Sequence, residues 1–414
     1  MRTILPHIQM LSLGAVLFGG ALAVGLATEG ARLHEADWPV NEQRELLAVV
    51  LEDGETIAGA TTEPDGDNTL IRLFTCTIRG DTHEMRTLKI PSDWGSLRAD
   101  VTDGEITVGW LDFKGALWWL SKTGSGLEAK KVLDPAGGPS GDTVGWYLVS
   151  IEGKRRLFTY RYEAVANPKN IWEVHRSVDW LYSYEMDGAE PKFRAKVRLQ
   201  EHPFIESDSG SLWCGSSGSK ILLWQTFKVS HYRPIDALGL PAEAAEWIWV
   251  PDPPVVLRVA EWSDSGQLKW QRRYIAAEAL RLDLDPADAS GVLVQEPKNG
   301  PMGPAICCMV EARNGMIIPL RGVRGLRHVL RTNAEKRKWA LASIIYPVPD
   351  IEQMTVSSPT SIEVRTYDVD FNELSLDRFS ASGVEDFGLA GRGEDLYLVA
   401  LEKHGVAVHK VPQP

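Results

Sequence analysis

Along most of its length the chain alternates apolar and polar residues in short runs, and each run breaks at a tight corner. In "VAEWSDSGQLKWQRRY", residues 259–274, the alternation leads into an Asp-Ser-Gly corner and resumes with Leu268, Trp270 and Tyr274. The same shape recurs with corners at Asp53–Gly54, Asp112–Gly115, Glu152–Gly153, Asp187–Gly188 and Asn314–Gly315, near Asp370, and at Lys403–Gly405. A period of two puts one apolar face on an extended segment, and Gly, Asn and Asp supply the backbone that a hairpin corner needs. About two dozen strand-sized runs can be counted this way. Helical spacing is scarce. It is confined to 241–247, 274–282 and 325–343, and the last, "GLRHVLRTNAEKRKWALAS", predicts the best helix. Pro/Gly-rich connections at 63–68, 134–142, 251–254 and 296–304 do not divide the chain into domains, because the strand pattern resumes after each.

The pattern therefore predicts an all-β chain, and the supply of strands suits a β-propeller of four-stranded blades. Corners at Asp112, Asp187 and Asp264 are 75 and 77 residues apart (187 minus 112; 264 minus 187), and Asp370 lies 106 further on. The blades are thus unequal in length. Parsing by corners gives units near 45–92, 93–135, 140–200, 205–282, 300–380 and from about 384, six in all, with five to eight compatible with the pattern. The last unit is short and needs a strand from the N-terminal segment to close the ring and remove an open edge.

Two corners carry a resemblance. "SGQLKW" (Ser265 to Trp270) resembles the corner of the quinoprotein-type (pyrroloquinoline quinone) propeller repeat, in which a small hydroxyl residue and Gly precede a Trp four positions after that Gly. "LDFKGALWW" (Leu111 to Trp119) is similar, with its first Trp three positions after Gly115. The acidic residue usual four positions before the Gly is replaced by Trp262. The resemblance implies the architecture alone; no ligand residues line up for a cofactor, whose identity stays unknown.

Composition refines this. The chain has 414 residues, a net charge of −12 and a pI near 5.3, which excludes nucleic acid as a general partner because phosphate binding needs a positive footprint. Residues 10–27 are an uncharged apolar run behind Arg2, with Gly25 and Ala27 placed for cleavage before Thr28. Residues 1–27 read as a signal peptide, or as an uncleaved anchor because the run nearly suffices to span a bilayer, and 28–414 as one propeller domain. The four cysteines, Cys76, Cys214, Cys307 and Cys308, are too sparse for a disulfide scaffold, and their pairing stays open. The destination is periplasmic or extracellular.

Candidate chemistry is sparse. The 15 tryptophans suit packing between sheets, and Trp118, adjacent to Trp119, is the candidate stacking platform for a ligand. Residues 321–338 hold five Arg and two Lys against one Glu, and Arg324, Arg327 and Arg331 would share one face of a helix and suit an anionic partner. "YDVDFN" places Asp368, Asp370 and Asn372 at alternate positions, as a calcium loop begins, but Glu373 stands where that loop needs Gly. Local metal, nucleophile and phosphate-loop motifs are missing from the sequence. The reading is an exported propeller that serves as a binding or scaffold module in the bacterial cell envelope, with a protein or glycan partner at loops on one face. The alternative is an exported propeller enzyme acting on glycans or using a metal or quinone at the central channel. A third reading is contact with a membrane surface through 10–27 and the 321–338 cluster.

Overall fold

The computed structural model describes residues 31–32, 44–134, 142–202, 212–228, 255–284, 291–295, 306–310, 317–320, 328–345 and 359–412, apart from short breaks at strand turns. Strands with period-two burial or near-continuous burial fill these residues. Leu398 to Leu401 are buried on both faces because the strand Asp395–Glu402 lies between two neighbours in its sheet and between two other sheets. Gly126–Leu133, an outermost strand, exposes four residues in a row.

Among the described residues the strands form seven four-stranded antiparallel sheets, six of them in simple sequential order and the last completed by an N-terminal strand. We number them as blades 1 to 7 in chain order. Blade 1 is Glu45–Leu51, Thr56–Asp65, Asn68–Thr77 and Thr82–Pro91; blade 2 is Gly95–Thr102, Glu105–Leu111, Leu117–Thr123 and Gly126–Leu133. Blade 3 is Asp142–Ile151, Lys154–Asn167, Asn170–Asp187 and Glu190–His202; blade 4 is Leu212–Ser217, Lys220–Lys228, Val255–Trp262 and Leu268–Ala276. Blade 5 is Leu280–Leu284, Gly291–Gln295, Ile306–Val310 and Ile317–Pro319; blade 6 is His328–Asn333, Lys338–Ile345, Ser361–Tyr367 and Glu373–Ser380. Blade 7 is Val384–Arg392, Asp395–Glu402 and Gly405–Lys410, completed on its outer side by Ala31–Arg32.

The first strand of each blade packs against the first strand of the next, from blade 1 to 4, from 5 to 7, and from 7 back to 1. The first strands therefore ring a common axis, and the fourth strands lie outside. The chain is a β-propeller. Its core is distributed between blades rather than gathered in one place. Ala60, Ile71 and Ile90 of blade 1 pack on Val108 and Trp110 of blade 2. Leu111 and Leu117 pack on Trp146, Leu148 and Tyr182 of blade 3. Phe158 and Tyr160 pack on Ala260 and Trp262 of blade 4, and Ala342 and Val364 of blade 6 on Leu389 and Leu398 of blade 7. At Gly109 a Cβ would stand 2.6 Å from Trp119 and 2.7 Å from Trp146, so glycine is what lets those two indoles meet across the joint.

The missing strand of the last blade is supplied by the N-terminal segment, as the short final unit required. Two expectations need correction. The 300–380 unit and the residues just before it make two sheets, so seven sheets stand where the corner parsing favoured six. Residues 325–343 do not form a helix. His328–Asn333 and Lys338–Ile345 are strands paired in register from His328 with Ser343 to Asn333 with Lys338. Good helix formers there yield to the apolar face of Ala340, Ala342 and Ile344 that blade 6 packs on blade 7. Tyr274–Ala276 and Leu280 to Leu282 are likewise strand, and 241–247 lies outside the described residues.

Cys76 is free and fully buried in the joint between blades 7 and 1, and burial pushes its thiol up to about 12, so it is an inert core residue. The side chains of the other three cysteines lie outside the described residues.

Candidate functional site: one face of the propeller

Antiparallel order fixes where every connection emerges. Turns from first to second strand and from third to fourth strand leave at one end of the ring, here the lower face. Connections from second to third strand, and from blade to blade, leave at the upper face. Between the described strands, the lower-face turns have six residues or fewer, the longest being 285–290 and 311–316. Seven connections are longer, and all seven leave at the upper face: 33–44, 134–141, 203–211, 229–254, 296–305, 320–327 and 346–360. Short tight turns close a blade at minimal cost, whereas long connections on a rigid scaffold are where binding residues concentrate.

The second and third strands of blade 3 also extend past their neighbours at this end. The first strand pairs only up to Tyr162, and the fourth only down to Ser177, while the hairpin between them continues to Asn167 and Asn170. On blade 2 the upper turn carries Phe113, which is 73% exposed.

Trp118 starts the strand that follows this turn. It is half-buried, and its indole N–H donates to Asp112 Oδ2 at 3.0 Å. Asp112 Oδ1 accepts the backbone N–H of Lys114 and of Ala116, each at 2.9 Å. Burial opposes the charge on Asp112, but the Trp118 N–H and the two backbone donors outweigh it and hold the carboxyl below its usual range. Trp118 thus fastens a corner and packs toward blade 1, while its neighbour Trp119 packs toward blade 3. Replacing Asp112 with alanine will lower stability by about 1–3 kcal/mol in urea at pH 7. A depressed carboxylate contributes above its unfolded pKa and loses that contribution as pH falls through the folded one, so the gap between the two proteins will narrow below about pH 4.

The basic cluster separates on inspection. Arg324 and Arg327 lie outside the described residues, on the upper-face connection 320–327. Arg331 is on the first strand of blade 6, and its Nη2 donates to the Gly391 carbonyl of blade 7 at 3.2 Å. Arg331 is therefore on a strand and not on the expected helix, and it joins two blades. Asp368 also differs from the calcium-loop pattern. Its oxygens accept the backbone N–H groups of Asp370 and Asn372 and the Asn372 side-chain amide, at 2.9, 2.9 and 3.0 Å. These donors hold its carboxyl below the usual range and leave no ligand set; no cluster suited to a metal occurs among the described residues.

Sequence inspection missed the buried carboxylates of the inner strands. Asp100 on blade 2 accepts the Leu148 N–H of blade 3 at 2.6 Å, and Asp386 on blade 7 accepts the Leu46 N–H of blade 1 at 2.7 Å. Both are on first strands, Asp100 towards the lower-face end and Asp386 towards the upper-face end. Each satisfies a backbone donor on the exposed edge of the next inner strand. Arg98 bonds to Asp100 and lies over the Tyr147 ring, 4.4 Å from its centroid. These bonds span 48 and 340 residues of sequence, so no local motif signals them.

No family model and no curated protein matches the chain. Solved structures do, at low identity. The β-propeller domain of the Trilobed protease from Pyrococcus furiosus is 10% identical with a TM-score of 0.44, over 89% of this chain and 93% of that one. The WD40 domain of coronin from Toxoplasma gondii is 9% identical with a TM-score of 0.45, over 94% and 87%. An acylaminoacyl peptidase from Pyrococcus horikoshii is 12% identical with a TM-score of 0.43, over 90% of this chain and 51% of that one. The chain spans about half the length of the acylaminoacyl peptidases it matches.

Proposed function

We propose that the protein is an exported binding module of the bacterial cell envelope, which holds its partner on the upper face. The observation that supports this is the segregation of every long connection to that face, while the lower face is closed by turns of six residues or fewer. These connections also carry basic and aromatic residues suited to a partner. Residues 320–327 contain three Arg and no acidic residue, and 229–254 contain Trp247 and Trp249. Asp100 and Asp386, carboxylates of first strands, are engaged in joining blades. The apolar run 10–27 directs the chain out of the cytoplasm.

The test is site-specific photo-crosslinking in intact cells. A photoreactive side chain at Phe113 or at Arg324 is expected to capture one protein or glycan, and the same group at Asp53, Lys154 or Glu190 on the lower face is expected to capture none. Capture from the lower positions alone, or recovery of the protein from the cytoplasm, would overturn the proposal.

A further inference from the structure

The joint between blades 2 and 3 holds a buried cation that has no counter-ion among the described residues. Arg161, on the second strand of blade 3, is 9% exposed. Its guanidinium lies 3.9 Å from the Tyr182 ring centroid, and Nη2 donates to Tyr184 Oη at 3.1 Å. Its Nε–H has no acceptor, and no carboxylate pairs with it among the described residues. Thr159 Oγ1, two residues earlier on the same sheet face, is also buried without a partner, as is Trp119 Nε1 of blade 2. Three donors and one positive charge therefore line one inter-blade joint. A buried charge in this state is strongly unfavourable, and a buried donor without an acceptor adds to the penalty. The aromatic face of Tyr182 offsets only part of it.

The register continues this face outward. Trp180 sits beside Arg161, and Lys196 beside Tyr182. Lys196 is exposed, and its Nζ lies 3.7 Å from the Trp180 ring centroid. Across the gap, Lys130 of blade 2 is exposed and in register with Trp119. At the other end Phe193 packs edge-on against Tyr184, at 5.9 Å. The mouth thus combines two lysines with a half-buried indole, and the floor holds the arginine.

We propose that the outer end of this joint binds an acidic glycan, with Arg161 taking a carboxylate of a uronic acid unit and Trp180 and Lys196 holding the sugar ring at the surface. A flat indole suits the apolar face of a pyranose, and the cations select against neutral sugars. An acidic peptide would add to the outer edge of Glu190–His202 through its backbone, whereas the acceptor-less donors lie on the sheet face and not on that edge.

The test is calorimetry of the full chain with polygalacturonate, dextran and poly-glutamate at low and moderate salt. Polygalacturonate is expected to bind, more weakly as salt rises, and dextran to give no heat. Arg161→Gln is expected to weaken binding about tenfold or more, and Lys196→Gln and Trp180→Ala about threefold each. The latter two lie at the mouth and carry the test if Arg161→Gln does not fold. Binding of dextran as tight as polygalacturonate, tighter binding of poly-glutamate, no heat with polygalacturonate at low salt, or unchanged affinity in the folded variants would each overturn the proposal.

Discussion

Replacing Arg44 with methionine will destabilise the protein by about 3 kcal/mol or more in urea unfolding followed by tryptophan fluorescence. The ring closes between blades 7 and 1, and the N-terminal strand that completes blade 7 has only two residues, Ala31–Arg32. Closure therefore falls to bonds between the inner strands. They run in parallel along the joint. Arg44, whose side chain is fully buried, bonds to Glu385 at 2.9 Å and to the Glu402 carbonyl; Asp386 accepts the Leu46 N–H; and Arg392 donates to the Glu52 carbonyl at 2.8 Å. A second buried pair, Arg72 with Glu63 at 2.5 Å, sits in blade 1 beyond the Glu45–Thr62 step of the ladder, on the same side as Arg44. Arg44 and Arg72 thus face three carboxylates, Glu63, Glu385 and Asp386, at one end of the joint. Methionine keeps the length of the side chain and removes one of the two positive charges, which leaves the carboxylates further in excess. Arg392 is exposed, so Arg392→Ala will cost less than about 1 kcal/mol. If Arg44→Met and Arg392→Ala prove equally mild, the inner-strand bonds do not close the ring and the two-residue strand does.

Much of this architecture is legible in the sequence because it depends on local periodicity. Asp112–Gly115 announces its hairpin, and the bonds from Asp112 to Lys114, Ala116 and Trp118 are all within six residues. The short final unit announces that a strand must come from elsewhere. What the sequence hides falls into two kinds. The first is tertiary override. "YIAAEALRL" and "GLRHVLRTNAEKRKWALAS" have the composition of helices, yet both contribute strands, because their place in the ring offers partners only along a sheet edge. Reading 325–343 as helix placed Arg331 on one helical face with Arg324 and Arg327, and parsing by corners divided the sheet 280–319 between the units 205–282 and 300–380. The second is distance. Arg161 and Trp119 meet no motif, and Asp386 finds its donor 340 residues away. Trp118 offers a ligand its ring face alone, because Asp112, six residues earlier, holds its N–H.

Gly59→Ala will cost about 2–3 kcal/mol, although alanine is the smallest change available. Gly59 pairs directly with Phe74 across the second and third strands of blade 1, and the Phe74 ring lies over it. A Cβ on Gly59 would stand 2.1 Å from Phe74 Cζ and 2.3 Å from Cε1, well inside any tolerable contact. The ring has nowhere to move. It is 2% exposed and packed among Ile57, Cys76, Tyr397 and Val399 at the joint of blades 7 and 1. Phe74→Leu alone will cost about 1–3 kcal/mol through lost burial and the cavity it leaves. The same substitution also makes room over residue 59. The double variant, Gly59→Ala with Phe74→Leu, will therefore lie close to Phe74→Leu alone and well short of the sum of the two, a coupling of about 1–2 kcal/mol read from urea midpoints. Simple additivity would mean that the backbone shifts to accept the methyl group. In that case Gly59 is not what lets Phe74 reach across its own sheet, and the joint that closes the ring is softer than its contacts imply.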